Sequence, residues 1–267
     1  MDMARTGQLT SSAADVYEEF FLPALFQEWA PRLVMMAQLQ PGHDALDVAC
    51  GTGVVARAAA DRVGSAGRIV GLDRNDGMLA VARRKAPHID WRQGRAEALP
   101  FDSNSFDAVM SQFGLMFFDD RRAAIEEMWR VLRPGGRLVL AVWDTLENTP
   151  GYAAVTELLQ RLFGQEVADA LRAPYTLGDR DVLRGLLAEA GVRAPEIVTQ
   201  DGTARFPSID AWVHTDVKGW TLADTIDDAQ YDRLLDEARL ELRSFTDRHG
   251  AVSFRAPAHI VTSVKPS

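Results

Sequence analysis

A glycine-rich turn directly after a short apolar run is the stretch of this sequence best suited to bind a ligand. The run covers residues 46–49, is typical of a buried strand, and is followed by Gly51-Thr52-Gly53. Glycines allow a tight turn and let a ligand lie against bare backbone. Residues 54–60 continue as a helix with one apolar face, and the free backbone N–H groups at its start favour an electronegative ligand group.

An acidic residue at the end of the next apolar run strengthens this interpretation. Residues 67–73 predict a second strand, which ends in Asp73. A carboxylate at that position can accept hydrogen bonds from both ribose hydroxyls of an adenosine group. Alternatively, the glycine turn could join strand to helix without any ligand, and Asp73 could cap the next helix. The two features at this separation favour the ribose interpretation.

Two classes of cofactor are compatible with this arrangement. Dinucleotide-binding folds carry the pattern G-x-G-x-x-G/A, which Gly51, Gly53 and Ala56 satisfy, so NAD stays open on the glycines alone. Asp47, inside the first strand, and the Cys-Gly-Thr-Gly ending of the turn favour a different cofactor.

Apolar runs alternate with helical patterns on either side of these residues. Further strands are predicted at residues 89–93, 106–111, 137–143, 197–198 and 260–264. Alternating strands and helices are typical of a parallel sheet with helices on both faces. We therefore expect an α/β fold with a doubly wound sheet.

The order of these motifs resembles that of the class I S-adenosylmethionine-dependent methyltransferases. Their first motif is similar to residues 46–53, and their adenine-recognition segment is similar to Gly-Arg-Ala-Glu-Ala-Leu-Pro-Phe at residues 94–101. The Leu-Arg-Pro-Gly-Gly break at residues 132–136 is also common in that family. By motif the resemblance covers about residues 40–145, and it is closest to small-molecule methyltransferases like those of ubiquinone/menaquinone biosynthesis.

The resemblance implies a Rossmann-like fold and a division of the chain. It implies a seven-stranded, mostly parallel sheet with an antiparallel last strand, and inserted helices that cover the substrate. The expected parts are an N-terminal helical lid (residues 1–40), an S-adenosylmethionine-binding α/β core (41–205), a helical cap insertion (206–249) and the last strand of the core (250–267).

The resemblance also implies which residues bind S-adenosylmethionine. The glycine turn would accommodate its methionine end, Asp73 would hold its ribose, and the backbone N–H of Ala96 would bind its adenine. Arg95 stands where the family usually has an aspartate that accepts from the adenine amine, so either Glu97 substitutes for that acceptor or Arg95 stacks on the ring. The expected cofactor-binding residues are Asp47, Ala49, Gly51, Thr52, Gly53, Asp73, Arg74, Met78, Arg95, Ala96, Glu97, Ser111 and Gln112.

Aromatic residues before the core and in the predicted cap are candidates for binding the methyl acceptor. A helix that Pro23 is expected to interrupt precedes the core and is similar to an active-site lid of the family. Each aromatic side chain could instead pack its helix onto the sheet. The expected acceptor-binding residues are Tyr17, Phe20, Trp29, Phe113 and His214. His214 could deprotonate a hydroxyl near neutral pH, but we assign no catalytic base.

Composition and charge exclude several other classes of protein. The chain has 267 residues and a formal net charge of −9, which argues against a broad nucleic-acid surface. Its one cysteine, Cys50, excludes an internal disulfide and a cysteine-rich metal site, and no metal is expected. No signal peptide or apolar segment of about 20 residues is present, so we expect a cytoplasmic protein without a membrane span. A homodimer is left open.

The sequence leaves three functions open. The first is methyl transfer from S-adenosylmethionine to a small, aromatic or apolar acceptor, which the aromatic residues favour. The second is an NAD-dependent oxidoreductase, although no Tyr-x-x-x-Lys group for hydride transfer is evident. The third is an S-adenosylmethionine-binding module without catalysis, an option that Arg95 keeps open.

Overall fold

Seven strands build one central sheet in the computed structural model, which describes residues 11–218, 222 and 225–266. The strands of this sheet are β1 (Asp44–Val48), β2 (Arg68–Asp73), β3 (Asp90–Gln93), β4 (Phe106–Gln112), β5 (Leu132–Trp143), β6 (Glu196–Gln200) and β9 (Ala258–Val264). Two more strands, β7 (Thr203–Phe206) and β8 (Val252–Arg255), pair with each other outside it.

The strand order of the sheet confirms the predicted doubly wound fold. The order is β3-β2-β1-β4-β5-β9-β6. Strands β1 to β5 pair in parallel, and β9 is antiparallel to both of its neighbours. The chain reverses its direction of winding between β1 and β4, and ligands of such sheets bind at the carboxyl ends of the strands beside this point.

Continuous apolar runs place the central strands in the core. All of β1 after Asp44 is buried, as is β5 from Leu138 to Trp143. Strands that helices cover on both faces carry such runs instead of alternating apolar and polar residues. Helices therefore pack against both faces of the central strands. The polar residues follow in the loops at the carboxyl ends of these strands.

Ten α-helices are described, and side chains at their starts explain several of their boundaries. Asp120, Asp179, Ser208 and Asp227 each accept a backbone N–H of the first helical turn, as is typical of N-cap residues. The helices are α1 (Ser11–Val16), α2 (Ala30–Met36), α3 (Val54–Val63), α4 (Asp76–Lys85), α5 (Arg121–Val131), α6 (Pro150–Phe163), α7 (Gln165–Arg172), α8 (Arg180–Glu189), α9 (Ile209–Lys218) and α10 (Asp228–Glu241).

The predicted interruption at Pro23 is wrong. Helix α1 continues directly into a π-helical segment, Tyr17–Phe26, which contains Pro23 and ends with the Gln27 N–H donating to the Leu22 carbonyl. In an α-helix the proline ring would clash with the carbonyl four residues earlier. The wider π-helical turn displaces that carbonyl, so the chain passes through the proline without breaking.

The predicted cap insertion contains α9 and α10, but the sequence did not predict the β7–β8 pair beside it. Four residues of each strand pair in antiparallel register, from Thr203 opposite Arg255 to Phe206 opposite Val252. The proposed division of the chain stays a prediction. Strand β7 spans the expected boundary between residues 205 and 206. Residues 1–10 of the expected lid lie outside the described residues. Among the helices that the structure describes, none combines the length and apolar character needed to cross a bilayer.

Candidate cofactor and acceptor sites

The glycine turn after β1 adopts backbone conformations that favour glycine. Gly51 and Gly53 have φ values of 54° and 88°. A Cβ atom on Gly53 would lie 2.2 Å from the Trp91 ring, which is fixed by an indole N–H that donates to the Ala86 carbonyl at 2.8 Å. Gly53 is therefore required both by its left-handed backbone and by the ring against it.

Asp47 fixes the start of the helix that follows this turn. Its side chain is buried, and its Oδ2 accepts the Ala56 N–H at 3.0 Å, which satisfies one of the unpaired donors at the start of α3. Burial raises the pKa of Asp47 to about 8, although the Ala56 N–H opposes this shift. Asp47 lies behind the turn and does not line the cleft described below.

Asp73, at the end of β2, joins the glycine turn to the next helix. Its Oδ2 accepts the Gly51 N–H at 2.8 Å, and its Oδ1 accepts the Asn75 N–H at 2.8 Å. Asn75, and not Asp73, caps α4 by accepting the Met78 N–H. Burial raises the pKa of Asp73 against the effect of these donors. Each carboxylate oxygen has a second lone pair, so both can still accept from a ligand hydroxyl.

A cleft with a volume of about 140 Å³ opens at the carboxyl ends of β1, β2 and β4. It lies where the direction of winding reverses, as expected for a ligand site of a doubly wound sheet. Its lining combines the glycine turn and the end of β2 with aromatic side chains. The lining residues are Tyr17, Phe26, Ala49, Gly51, Leu72, Asp73, Arg74, Asn75, Met78, Gly94, Ala96, Glu97, Gln112, Phe113, Gly114, Phe117, Phe118 and Trp143.

Two residues other than glycine hold left-handed backbone at this cleft. Ala49 has a φ of 56° and Phe113 a φ of 54°. Such conformations cost free energy in residues with a side chain and are concentrated at functional sites. At Phe113 the strain accompanies a stack on Trp143, whose ring centroid lies 3.8 Å away with an interplanar angle of 10°.

Most of the predicted cofactor-binding residues meet in this cleft, but five do not line it. Those that line it are Ala49, Gly51, Asp73, Arg74, Met78, Ala96, Glu97 and Gln112. Those that lie outside it are Asp47, Thr52, Gly53, Arg95 and Ser111. The hydroxyls of Thr52 and Ser111 are buried and have no hydrogen-bond partner among the described residues.

Arg95 belongs to an ion-pair cluster on the surface beside the cleft. Its guanidinium donates to Asp119 at 2.8 Å and lies 3.5 Å from Glu97, and its side chain is 56% exposed. Glu97 lines the cleft and accepts the Asp119 backbone N–H at 3.0 Å. Of Glu97 and Arg95, the two alternatives considered in place of the family's aspartate, only Glu97 is at the cleft.

Gln112 connects the end of β4 to the N-terminal segment. Its Nε2 donates to the Phe26 carbonyl at 3.1 Å, whereas its buried Oε1 has no partner among the described residues. An unpaired buried acceptor costs free energy, so this oxygen is suited to a ligand that donates a hydrogen bond.

Comparisons with known proteins agree with this geometry. Residues 46–140 match the model of a family described as "Methyltransferase domain". The demethylmenaquinone methyltransferase of Staphylococcus carnosus is 34% identical over 189 residues, which cover 65% of this chain and 78% of that protein. The ubiquinone/menaquinone biosynthesis C-methyltransferase UbiE of Pseudoalteromonas translucida is 31% identical over 193 residues, which cover 66% of this chain and 77% of that protein. The chain belongs to the class I S-adenosylmethionine-dependent methyltransferases.

This membership decides between the three functions that the sequence left open. The protein is a methyltransferase of the ubiquinone/menaquinone-biosynthesis-like group, its cofactor is S-adenosylmethionine, and its substrate is a small molecule. The NAD-dependent and non-catalytic alternatives are set aside.

Solved structures of low sequence identity share the fold of this methyltransferase. The YcgJ protein of Bacillus subtilis has a TM-score of 0.61 at 20% identity, over 90% of this chain and 99% of that chain. Phosphoethanolamine N-methyltransferase 2 of Haemonchus contortus, in complex with S-adenosyl-L-methionine, has a TM-score of 0.64 at 17% identity, over 100% of this chain and 60% of that chain.

A second, smaller cavity of the methyltransferase adjoins the cleft. Phe26 and Trp143 line both spaces, so they form the boundary between them. This cavity has a volume of about 20 Å³, close to the space that one water molecule needs, and a lining that is almost entirely aromatic and aliphatic. Its remaining lining residues are Leu25, Tyr152, Ala170, Leu171, Pro174, Tyr175 and Asp216.

Only some of the predicted acceptor-binding residues of the methyltransferase lie at these spaces. Tyr17 and Phe113 line the cleft. Trp29 is fully buried, with its ring edge-on to those of Phe113 and Trp143 at 5.8 and 6.0 Å, which supports the packing alternative. Phe20 and His214 contact each other at 6.1 Å between ring centroids and line neither space.

Sequence analysis missed residues from several parts of the methyltransferase that meet at the two spaces. Trp143 could have been found, because it ends β5 at the edge of the sheet where ligands bind. No sequence pattern marks Tyr152 and Asp216 as site residues, because they contact each other although they lie 64 positions apart in the sequence.

Proposed function

We propose that this methyltransferase holds S-adenosylmethionine in the cleft and methylates a small aromatic hydroxy compound that binds where the cleft meets the second cavity. The observation that carries the proposal is the shared boundary of Phe26 and Trp143, which brings an aromatic-lined space directly beside the cleft. The relatives' names specify demethylmenaquinone and ubiquinone/menaquinone biosynthesis, and an acceptor of quinol type is consistent with this lining.

The residues at the cleft fit S-adenosylmethionine. The Asp73 oxygens are positioned by two backbone donors and would accept from the ribose hydroxyls. The unpaired Gln112 Oε1 would accept from the cofactor's amino group, next to the glycine turn that would receive its methionine end. Ala96 and Glu97 would bind the adenine, and Met78 would pack against it. Arg74 would close the cleft beside Asp73.

The chain itself supplies position and exclusion of water. When bound, S-adenosylmethionine supplies a methyl group that its sulfonium makes electrophilic. Phe113 and Trp143 form a stacked aromatic wall of the cleft, and a cofactor and acceptor bound against this wall would displace water from it. Holding acceptor and donor together lowers the barrier by converting a bimolecular step into a unimolecular one.

A free small molecule is the acceptor that the surface charge favours. The net charge of −9 opposes binding to the phosphate backbone of a nucleic acid. The second cavity is also small and apolar, and its lining contains no lysine or arginine. The cytoplasmic location stays a prediction, and whether the protein forms a homodimer stays open.

The proposal is tested by measuring S-adenosylhomocysteine formation with a panel of acceptors. The panel contains 2-naphthol, hydroquinone and 1,4-dihydroxynaphthalene as aromatic hydroxy compounds, and ethanolamine as an aliphatic amine. We expect turnover with one or more aromatic hydroxy compounds, giving a product one methyl group heavier, and none with ethanolamine. Turnover of ethanolamine alone would contradict the proposal.

A further inference from the structure

One carboxyl group lies in the otherwise apolar second cavity. Asp216, on α9, is 3% exposed and lines that space. Its Oδ1 accepts the hydroxyl of Tyr152, on α6, at 3.1 Å. Its Oδ2 is buried and has no hydrogen-bond donor among the described residues, and no described cation forms an ion pair with it.

The buried surroundings of Asp216 disfavour its ionised form, but the carboxyl group can still ionise near neutral pH. Burial raises the pKa of Asp216 to about 8, against the opposing effects of Tyr152 and the Trp212 indole. The Trp212 indole N–H lowers the pKa of Asp216, although the two groups do not meet the geometric criteria of a hydrogen bond. Tyr175 is the other titratable group that faces it, and burial and Asp216 together raise the pKa of its hydroxyl.

Packing alone does not account for an aspartate at this position. A buried acceptor without a partner costs about 1–3 kcal/mol, which an apolar residue of similar size would avoid. A titratable group that is buried, lines a cavity and has a pKa close to neutral is typical of a functional site. A general base works best when its pKa lies near the pH at which the enzyme acts.

We propose that Oδ2 of Asp216 accepts the hydroxyl proton of the aromatic acceptor and so acts as the general base of methyl transfer. This inference rests on the proposed function, because it requires the hydroxyl of the acceptor to reach Asp216 in the second cavity. Tyr152 is a positioning residue, since it donates to Oδ1 and leaves Oδ2 free to accept the proton of the acceptor.

The step balances in atoms and electrons. The O–H bond of the acceptor breaks, its proton passes to the Asp216 carboxylate, and its electron pair stays on the acceptor. That electron density forms the new bond to the methyl group, either at the oxygen or at the ring carbon beside it. If the ring carbon is methylated, it then loses its own proton and the oxygen regains one, which restores the aromatic ring. The electrons of the broken carbon–sulfur bond remain on sulfur, which becomes the neutral thioether of S-adenosylhomocysteine. Asp216 then releases the proton to water.

Binding of two matched probes tests the inference without turnover. The probes are 2-naphthol, which carries the hydroxyl, and 2-methoxynaphthalene, which has the same ring system without a donor. Their fluorescence is titrated with the protein in the presence of S-adenosylhomocysteine from pH 6 to 9. The variants are Asp216→Asn and, on the same helix, the exposed control Asp210→Asn.

For the wild type we expect the affinity for 2-naphthol to increase as the pH rises through about 8, because the ionised carboxylate is the better acceptor. Asp216→Asn is expected to weaken 2-naphthol binding roughly 10- to 100-fold, as for the loss of a hydrogen bond to a charged group, and to abolish this pH dependence. Binding of 2-methoxynaphthalene is expected to be the same in all three proteins, and Asp210→Asn to resemble the wild type.

Tyr152→Phe provides a second variant with a different readout. It removes a donor that lowers the pKa of Asp216, so the midpoint of the pH dependence of 2-naphthol binding should shift upward. A merely structural role of Tyr152 would weaken binding without moving the midpoint.

The possible failures of the inference and of the proposed function are distinguishable. Equal 2-naphthol binding by the wild type and by a folded Asp216→Asn variant overturns the inference and leaves the proposed function intact. If the wild type binds neither naphthalene probe, the acceptor does not bind where the cleft meets the second cavity, and both are overturned. Thermal unfolding of each variant establishes that it is folded.

Discussion

The Asp73 carboxylate accepts the Gly51 backbone N–H at 2.8 Å, across 22 residues of chain. This hydrogen bond joins the end of β2 to the glycine turn after β1. The side chain expected at the cofactor's ribose therefore also holds the backbone expected at its methionine end. The hydrogen bond fixes the two parts of the cleft relative to each other, and such preorganisation lowers the cost of ordering them on binding.

The two glycines of the turn should differ in their tolerance of alanine. Gly51→Ala places a side chain in open space at a left-handed φ, with an expected cost of about 1–2 kcal/mol in the free energy of unfolding. Gly53→Ala adds a clash with the fixed Trp91 ring, and the expected total cost is about 2–5 kcal/mol. Urea unfolding of both variants measures the difference. Equal losses would show that Trp91 does not restrict this position.

Asp47 should lower the stability of the folded protein as the pH rises, whereas an ion-paired carboxylate raises it. Burial raises its pKa in the folded protein to about 8 from a usual value near 3.8, so the folded state favours the protonated form. This stabilising preference is fully present below about pH 4 and is lost as the pH rises through about 8. Asp47→Asn stays neutral, so its stability relative to the wild type should increase from pH 4 to 8.

Asp107 offers a control of opposite sign for that measurement. Burial raises its pKa, but the Asp44 N–H and Arg133 outweigh this effect, and the net shift is downward. Asp107→Asn should therefore lose stability relative to the wild type at neutral pH, and this loss should begin to shrink only near pH 4, because the folded protein holds the pKa of Asp107 below its usual value of 3.8. Urea unfolding of both variants from pH 4 to 9 is the measurement. Parallel pH curves for the two variants would contradict the assignment at Asp47.

Filling the second cavity should exclude the acceptor without affecting the cofactor. Ala170→Phe adds a ring inside that space, while the cleft that binds S-adenosylhomocysteine is unchanged. We expect 2-naphthol binding to weaken about 10-fold or more, in line with a cost of about 1–3 kcal/mol for overpacking, and S-adenosylhomocysteine affinity to stay the same. Val182→Phe, at an exposed position of α8, controls for added bulk. Unchanged 2-naphthol binding by Ala170→Phe would place the acceptor elsewhere.

Arg95 and Glu97 should differ in their importance for the cofactor. Arg95 pairs with Asp119 on the surface, and exposed ion pairs contribute about 0–1 kcal/mol, so Arg95→Ala should change S-adenosylhomocysteine affinity less than about fivefold. Glu97→Gln removes the charged acceptor at the cleft and should weaken binding roughly 10-fold or more. Calorimetric titration measures both affinities. A larger effect of Arg95→Ala than of Glu97→Gln would support stacking of Arg95 on adenine instead.

Local features of the sequence were sufficient to predict the sheet and much of the cleft. Asp73 could be identified because an apolar run ends at it, and the carboxyl ends of parallel strands share one edge of the sheet. The glycine turn could be identified because few residues other than glycine adopt its backbone conformation. The missed β7–β8 pair has four residues in each strand, too few for a clear pattern.

The acceptor side was less predictable because an aromatic residue type has two common uses. Trp29 and Phe113 are both aromatic and both close to the predicted site in sequence, yet Trp29 packs in the core and Phe113 lines the cleft. Asp216 could not be found, because its partner Tyr152 lies 64 residues away on another helix. At Pro23 the helix continues because it changes to a π-helical turn, which the rule for α-helices does not anticipate.

Calorimetric titration with S-adenosylhomocysteine, and separately with NAD, tests the central claim that the cleft holds the cofactor with Asp73 at its ribose. We predict that the wild type binds S-adenosylhomocysteine and not NAD. Asp73→Ala should weaken that binding roughly 100-fold or more, through the loss of two hydrogen bonds to a charged group. Asp76→Ala, three residues along at an exposed position, should bind as the wild type does. Binding of NAD, or an Asp73→Ala variant that is folded and binds S-adenosylhomocysteine like the wild type, would contradict the account.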